Sequence, residues 1–408
     1  MTFKTSDKAI VRELTEVLAA KGLRHAVISP GSRNAPLIIS FSQHSGIQTY
    51  SIVDERSAAY FAMGLAHRLQ EPVAIICTSG TAALNLAPAL SEAFYQQIPL
   101  IAITADRPAE WIDQADGQAI RQQHMYANFC KAWWQLPVSD TQSDIWYANR
   151  VANEAYNLCM HPRRGPVHLN VPLREPLYGQ TDGGYHKLRI IHEQTPELML
   201  TSAQKLKVND TLKNTRKVMV LCGTLSPNLA EGLASGLLKF AALPSVVVFT
   251  ESTSNLFHPL FRTGIDRMIT SLSPQAAQML QPDLLITVGT NLVSKRIKTY
   301  LREFPPAEHW HIEIADSISD TFQMLTHHFV VEMSHFFEYV NALDVKVESA
   351  YAAEWNLLDT NTLELHNKLM PDIPWSDLKV FHILFKSIPS DASIHLGNST
   401  PVRYGQLF

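Results

Sequence analysis

The chain has 408 residues, 46% of them hydrophobic and 18% charged, which is more than one hydrophobic core of ordinary size organises. Its 34 basic and 38 acidic residues leave a net charge of −4 with no basic run, which excludes the electrostatic footprint of a nucleic-acid or membrane-surface binder. Cys77, Cys130, Cys159 and Cys222 form no C-x-x-C pair and have no histidine at ligand spacing. They read as small core hydrophobes in a reducing, cytoplasmic compartment, not as a zinc site.

The first 18 residues mix charged and apolar side chains, predicting a helix and no secretory signal. Over residues 24–171, short β-branched runs alternate with helical patterns. Strands are predicted at HAVISP (from His25), TYSIV (from Thr49), PVAIICT (from Pro72), PLIAITA (from Pro99) and GPVHLNV (from Gly165). Helices are predicted over residues 55–69, 82–96 and 146–159. Near-continuous apolar strands between helices imply an α/β fold, a doubly wound parallel sheet covered on both faces. Residues 72–91 carry no charge over about the length of a membrane span, but Thr78-Ser79-Gly80-Thr81, Asn85 and Pro88 divide them into strand, turn and helix. No membrane span is expected.

Residues 177–192, with YGQTDGGYHK at their core, read as a linker. A second α/β series follows in KVMVLCG, PSVVVFT, DLLITVG, HWHIEIA and FVVEMS. Its first strand ends at Gly223 without a G-x-G-x-x-G, so it predicts a Rossmann-like domain with no dinucleotide site. A helical connector near residues 351–370, a helix over 375–387 and a strand feeding a loop in ASIHLGNSTPVRYGQLF open a third unit. The expected domains are 1–183, 193–345 and 346–408, the last being a connector and the start of a further domain.

Ligands of open parallel sheets bind where strands end and helices begin. Asp54-Glu55-Arg56 stands at such a point, where Asp54 caps a helix and Glu55 either complements its dipole or serves as a partly buried acid. Ser29-Pro30-Gly31-Ser32-Arg33 suits an anion such as a carboxylate, and Thr78-Ser79-Gly80-Thr81 repeats that geometry more weakly. Thr104-Ala105-Asp106-Arg107 ends a strand, and Gly117-Gln118-Ala119-Ile120-Arg121-Gln122 reads as a polar helical segment. Arg107, Gln118 and Arg121 are either polyanion ligands or surface residues. Ser294-Lys295-Arg296 and Asn398-Ser399-Thr400-Pro401-Val402-Arg403 supply further cations that are either solvated or carboxylate-binding.

In this order, SPGSRNAPL, VDERSAAYFAMGLA, TSGTAALNLAPAL, ITADRPAEW and GQAIRQ resemble the N-terminal pyrimidine-binding domain of thiamine-diphosphate enzymes. SPGSR, TADRP with GQAIRQ, SKR and GNSTPVR resemble, within that superfamily, the 2-succinyl-5-enolpyruvyl-6-hydroxy-3-cyclohexene-1-carboxylate synthase family. The resemblance runs from about the N-terminus to the last residue.

It implies a transferase of menaquinone biosynthesis that decarboxylates 2-oxoglutarate on thiamine diphosphate and adds the resulting succinyl-semialdehyde carbanion to isochorismate in a 1,4-addition. Glu55 would be catalytic and cofactor-binding, bonded to the aminopyrimidine. Arg33, Gln118, Ser399 and Arg403 would bind isochorismate, and Lys295 and Arg296 the distal carboxylate of 2-oxoglutarate. Ser32, Arg107 and Asn398 match substrate-binding motif positions without a defined role.

The family's diphosphate domain carries a G-D-G…N signature for Mg²⁺ or Mn²⁺ that these 408 residues lack. The chain as given is therefore expected to bind the cofactor weakly and to be inactive alone, functioning as part of a homodimer or homotetramer. Three alternatives stay open: a carboligase of acetolactate synthase type, a non-catalytic binding or regulatory module, and an enzyme completed by a separate chain.

Overall fold

The strands of the first sheet alternate their side chains between two cores, as a pleated strand covered on both faces must. Ala26, Ile28, Ala74, Ile76, Ile101 and Ile103 pack on one face. Val27, Val73, Ile75, Cys77, Leu100 and Ala102 pack on the other. Fully burying one of the Val, Ile or Leu side chains contributes on the order of 1.5–3 kcal/mol, and the central strands are buried at every position.

This computed structural model describes residues 4–183, 188–315 and 317–408. Two compact units divide the chain at Pro196 and Glu197. The first contains β1 (Lys4–Ser6), α1 (Ala9–Lys21), β2 (His25–Ile28), α2 (Ala35–Gln43), β3 (Gln48–Ser51), α3 (Glu55–Leu69) and β4 (Val73–Cys77). It continues with α4 (Thr81–Leu84), α5 (Ala87–Tyr95), β5 (Leu100–Asp106), β6 (Trp133–Gln135), α6 (Gln142–Met160), β7 (Val167–Pro172) and β8 (Gln180–Asp182). Six strands form a parallel sheet in the order β3-β2-β4-β5-β7-β6.

Helix α3 turns Ala58, Ala59, Ala62 and Ala66 inward. These small residues let its backbone approach the sheet closely, and they leave Tyr60 and Phe61 on the outer face, 43% and 44% exposed.

The second unit holds α7 (Ser202–Asn214), β9 (Val218–Cys222), α8 (Pro227–Ala241), β10 (Val246–Thr250), β11 (Phe261–Arg262), α9 (Ile265–Ser271), α10 (Pro274–Met279) and β12 (Leu284–Val288). Then come α11 (Lys295–Glu303), β13 (Glu308–Ile312), β14 (His327–Phe329), α12 (Met333–Asn341), α13 (Tyr351–Leu369), α14 (Asp377–Ser387) and α15 (Thr400–Gly405). Its sheet is again parallel and six-stranded, in the order β11-β10-β9-β12-β13-β14. Val218, Val220, Val246, Val248, Leu284 and Ile286 face one core, while Met219, Leu221, Val247, Phe249 and Leu285 face the other.

Several expected elements differ. Within 177–192, read as a linker, β8 pairs antiparallel with β1, while residues 184–187 lie outside the described residues. The helix expected over 82–96 is two, because Asn85 and Leu86 close the short α4 before α5 starts with Pro88 in its first turn. The strand expected at FVVEMS lies earlier, at His327–Phe329, and Met333 already starts a helix. ASIHL is in no strand, since no described neighbour pairs its backbone, and the segment that follows it forms α15. Residues 117–122, expected to be helical, are irregular: Gln118 takes φ +55°, which no right-handed helix accommodates.

Candidate active site

From β2 the chain moves to β3 on one side and then crosses to β4 on the other. The carboxyl ends of β2 and β4 therefore flank the crevice where such sheets bind ligands. The two turns there are in direct contact, since a Cβ added to Gly31 would lie 2.4 Å from Thr78 Cβ. Gly80 takes φ +80° and abuts the backbone of Gln118. Its N–H donates to Gln122 Oε1 at 2.9 Å. Gln122 Nε2 in turn donates to Ala105 O at 3.0 Å and to Asn170 Oδ1 at 2.9 Å. Gln122 is buried, so one amide ties the turn after β4 to β5, to β7 and to the 107–122 segment. Gln122 fell inside a motif read from the sequence, but its structural role depends on contacts tens of residues away.

Helix α3 begins at Glu55 because Asp54 caps it, accepting from Ser57 N at 2.7 Å. Glu55 is half-buried and has no side-chain hydrogen-bond or ion-pair partner among the described residues. Burial pushes the Cys77 thiol up, and the Glu55 charge adds to that shift, which places the carboxyl close to the end of β4. A carboxyl with unused oxygens at the mouth of the sheet is available to bond a ligand.

The other residues singled out in this unit differ in how far they are committed. Ser32 is exposed. Arg33 is only 7% exposed: Nη1 donates to Leu173 O at 2.9 Å, Nη2 meets Glu175 Oε1 at 3.2 Å, and Nε is buried without a partner. Arg107 Nη2 donates to Gly117 O at 2.8 Å and its Nε lies 3.2 Å from Asp116 Oδ2. This brings Arg107 beside the segment that presents Gln118, whose side chain is exposed. Arg121 instead pairs with Asp113 at 2.7 Å on the surface.

Beneath Arg107, Asp106 is buried, accepting from Arg107 N at 2.8 Å and Asn170 Nδ2 at 2.7 Å. Burial raises its pKa to about 6, against the pull of those two hydrogen bonds.

In the second unit the crossover from β10 and β11 to β12 puts a second switch point between β9 and β12. The 289–294 turn after β12 leads to α11, whose cap Ser294 accepts from Ile297 N at 3.2 Å. Lys295 and Arg296 open this helix, exposed, and their side chains have no hydrogen-bond or ion-pair partner among the described residues. They edge a cleft of about 340 Å³ whose wall includes Ile269, Leu272, Tyr300 and Phe304.

Lys298, one turn on, donates to Leu292 O at 2.7 Å. Burial lowers its pKa, and the nearby Arg302, Lys295 and Arg403 charges lower it further against the pull of Glu251. Arg403 is thereby placed in the field of the same helix, half-buried and with Nε unpaired. Asn398 and Ser399 are exposed; Asn398 Oδ1 accepts from Ser399 N at 2.6 Å, and Ser399 takes φ +76° immediately before α15. Such a φ is strained for a residue with a Cβ. Among the described residues no group of three or more His, Cys, Asp or Glu could hold a metal ion.

Residues 9–126 match the family described as thiamine pyrophosphate enzyme, N-terminal TPP binding domain, and residues 193–396 match the one described as middle domain of thiamine pyrophosphate. The chain is 43% identical over 417 residues to the 2-succinyl-5-enolpyruvyl-6-hydroxy-3-cyclohexene-1-carboxylate synthase of Porphyromonas gingivalis, covering 99% of this chain and 71% of that relative. It is 40% identical to the enzyme of the same name from Flavobacterium psychrophilum and 37% identical to that from Flavobacterium johnsoniae, each match covering 98% of this chain and 71% of the relative.

Proposed function

Since this chain belongs to the 2-succinyl-5-enolpyruvyl-6-hydroxy-3-cyclohexene-1-carboxylate synthase family, we propose that its first unit supplies the acid that activates thiamine diphosphate and its second unit supplies cations that hold the substrates. The protein is a thiamine-pyrophosphate-dependent transferase of menaquinone biosynthesis. It joins the four-carbon remainder of 2-oxoglutarate, after loss of CO₂, to isochorismate by 1,4-addition.

Thiamine diphosphate, when bound, supplies the thiazolium carbon that accommodates the electron pair released by decarboxylation. The observation that carries Glu55 into this chemistry is its half-buried carboxyl without a partner among the described residues, at the end of β4. These features fit an aminopyrimidine ring nitrogen, to which a shielded carboxyl donates or from which it accepts a proton. The thiamine end of the cofactor thus has a fitting partner. We assign no described residue to the divalent ion, for which Mg²⁺ or Mn²⁺ is proposed.

Both substrates are dianions, and the cationic residues fit that charge. Lys295 and Arg296, exposed beside the cleft, hold the distal carboxylate of 2-oxoglutarate. Arg33, Gln118, Ser399 and Arg403 bind isochorismate, with Ser32, Arg107 and Asn398 in support. For Arg33 the Leu173 and Glu175 contacts fix the guanidinium plane, using one N–H on Nη1 and one on Nη2 and leaving a second N–H on each.

A homodimer or homotetramer is the proposed assembly, supported by Tyr60, Phe61, Leu84 and Tyr95, large apolar side chains left exposed on α3, α4 and α5. No helix among the described residues is long and apolar enough to cross a membrane, and the four buried thiols are unpaired with one another. The cytoplasm is the proposed compartment.

The test is Glu55→Gln in the full-length, cofactor-loaded enzyme, with the diphosphate-binding domain present. Exchange of the thiamine C2 proton for deuterium, followed by NMR, should slow by about a hundredfold or more, the range that general acid–base groups contribute. Exchange at the unaltered rate removes Glu55 from the mechanism.

A further inference from the structure

Lys295 and Arg296 follow a turn whose last two backbone N–H groups both bond one buried carboxylate. Glu251 follows β10 and is 1% exposed. Its Oε2 accepts from Val293 N at 2.7 Å and its Oε1 from Ser294 N at 2.7 Å. Two successive backbone N–H groups immediately ahead of α11 are thus gripped by the two oxygens of one side chain. Charge-assisted bonds of this kind are about twice as strong as neutral ones.

The grip is itself fixed. Glu251 N donates to Ser254 Oγ at 3.0 Å, and Ser254 Oγ donates to Cys222 O at 2.7 Å, so the carboxylate is referred to the end of β9. The far side of the turn is held independently, with Thr224 N donating to Asn291 O at 2.9 Å and Thr290 N to Thr224 O at 3.0 Å. Ser294 Oγ also donates to Asp266. With both flanks pinned, the first two residues of α11 have little freedom other than that of their own side chains.

We propose that Glu251 is a positioning residue for the 2-oxoglutarate carboxylate site, acting through the Val293 and Ser294 amides to aim Lys295 and Arg296. The proposal rests on the reading of Lys295 and Arg296 as the 2-oxoglutarate contacts. Glu251 lies 44 residues before Lys295, and no local spacing links the two. Replacing it with glutamine leaves one acceptor oxygen and turns an NH₂ group toward the second N–H, so one of the two amides loses its partner. Loss of an interaction that orients a ground-state contact raises KM and leaves kcat nearly unchanged.

The experiment measures steady-state kinetics at saturating isochorismate, in the cofactor-loaded enzyme that also carries the diphosphate-binding domain, for Glu251→Gln, Glu251→Asp, Lys295→Ala, Arg296→Ala and the double variant Glu251→Gln/Lys295→Ala, each checked for its melting temperature. The expected result is a rise in the 2-oxoglutarate KM of about tenfold for Glu251→Gln, with kcat within about twofold. Glu251→Asp, which keeps two acceptors, should recover part of that loss. In the Lys295→Ala background Glu251→Gln should raise KM by less than it does in the wild type, because part of its effect acts through Lys295.

An unchanged KM in Glu251→Gln, beside a raised one in Lys295→Ala, overturns the positioning role. A fall in kcat at constant KM, or fully additive effects in the double variant, also overturns it, because these mark a general structural role. An unchanged KM in Lys295→Ala and Arg296→Ala alike instead shows that the underlying reading of the two cations fails. If Glu251→Gln does not fold, Glu251→Asp decides by the same KM criterion.

Discussion

Asp106 holds its carboxyl at the end of β5, 3% exposed, between the Arg107 N–H and the Asn170 amide. Burial raises its pKa from 3.8 to about 6. The sign of the consequence follows from proton binding. Below about pH 4 the group is protonated in both folded and unfolded chains, and its contribution to stability is complete. As pH rises from 3.8 towards 6 the unfolded chain releases the proton while the folded one still holds it, so stability falls over that window and then levels off. The difference in melting temperature between the wild type and Asp106→Asn should therefore change across that window and be flat above it. Melting curves recorded from pH 3.5 to 8 check this, and a difference independent of pH would contradict the assignment.

Helix α3 shows how a local device serves a distant end. Asp54 accepts from Ser57 N and so fixes where the helix starts, and Glu55 is its first residue. Asp54→Ala should lower the melting temperature, because Ser57 N loses its acceptor. It should also slow thiamine C2 exchange, because the first turn frays and carries Glu55 with it. Melting temperature and NMR exchange together check this; a loss of stability with normal exchange would separate the cap from the acid.

Much at this scale was legible. The helix from residue 55 to 69 was read with its observed limits, because a capping aspartate and a 3.6-residue repeat are local signals. The strands β2, β3, β4, β5 and β7 were legible because short β-branched apolar runs are local signals too. The three-residue strands β1, β6 and β8 carry no repeat long enough to detect. Residues 117–122 look helical by composition, but left-handed backbone at Gln118 rules out the helix. The commitment of Arg33 to Leu173 and Glu175, about 140 residues away, and the grip of Glu251 on Ser294 are products of tertiary structure. Spacing along the chain does not encode them.

Taken whole, the chain uses one plan twice. Each unit has a six-stranded parallel sheet with a switch point beside its first central strand. In each, a buried polar side chain fixes a strand-end turn by accepting from backbone N–H groups: Gln122 for Gly80 in one and Glu251 for Val293 and Ser294 in the other. The cores on both sides also enclose the cysteines. Cys77, Cys130 and Cys159 lie in the first unit and Cys222 in the second, all buried, with burial pushing every thiol up. The native protein should resist alkylation at neutral pH and react at all four positions once denaturant opens it. Mass spectrometry after iodoacetamide treatment, with and without denaturant, reads the count directly. Rapid labelling of a cysteine in the folded protein would show that its unit opens locally.

The contact of Gly31 with Thr78 carries a consequence for descent. Because any side chain at position 31 would land on the Cβ of residue 78, the two positions form a single steric unit shared by separate loops. A lineage could enlarge one only after emptying the other, so Gly31→Ala should be tolerated on a Thr78→Gly background and rejected without it. The floor of the crevice is therefore free to change its chemistry only in coordinated pairs, which confines variation in ligand preference to the side chains around its rim.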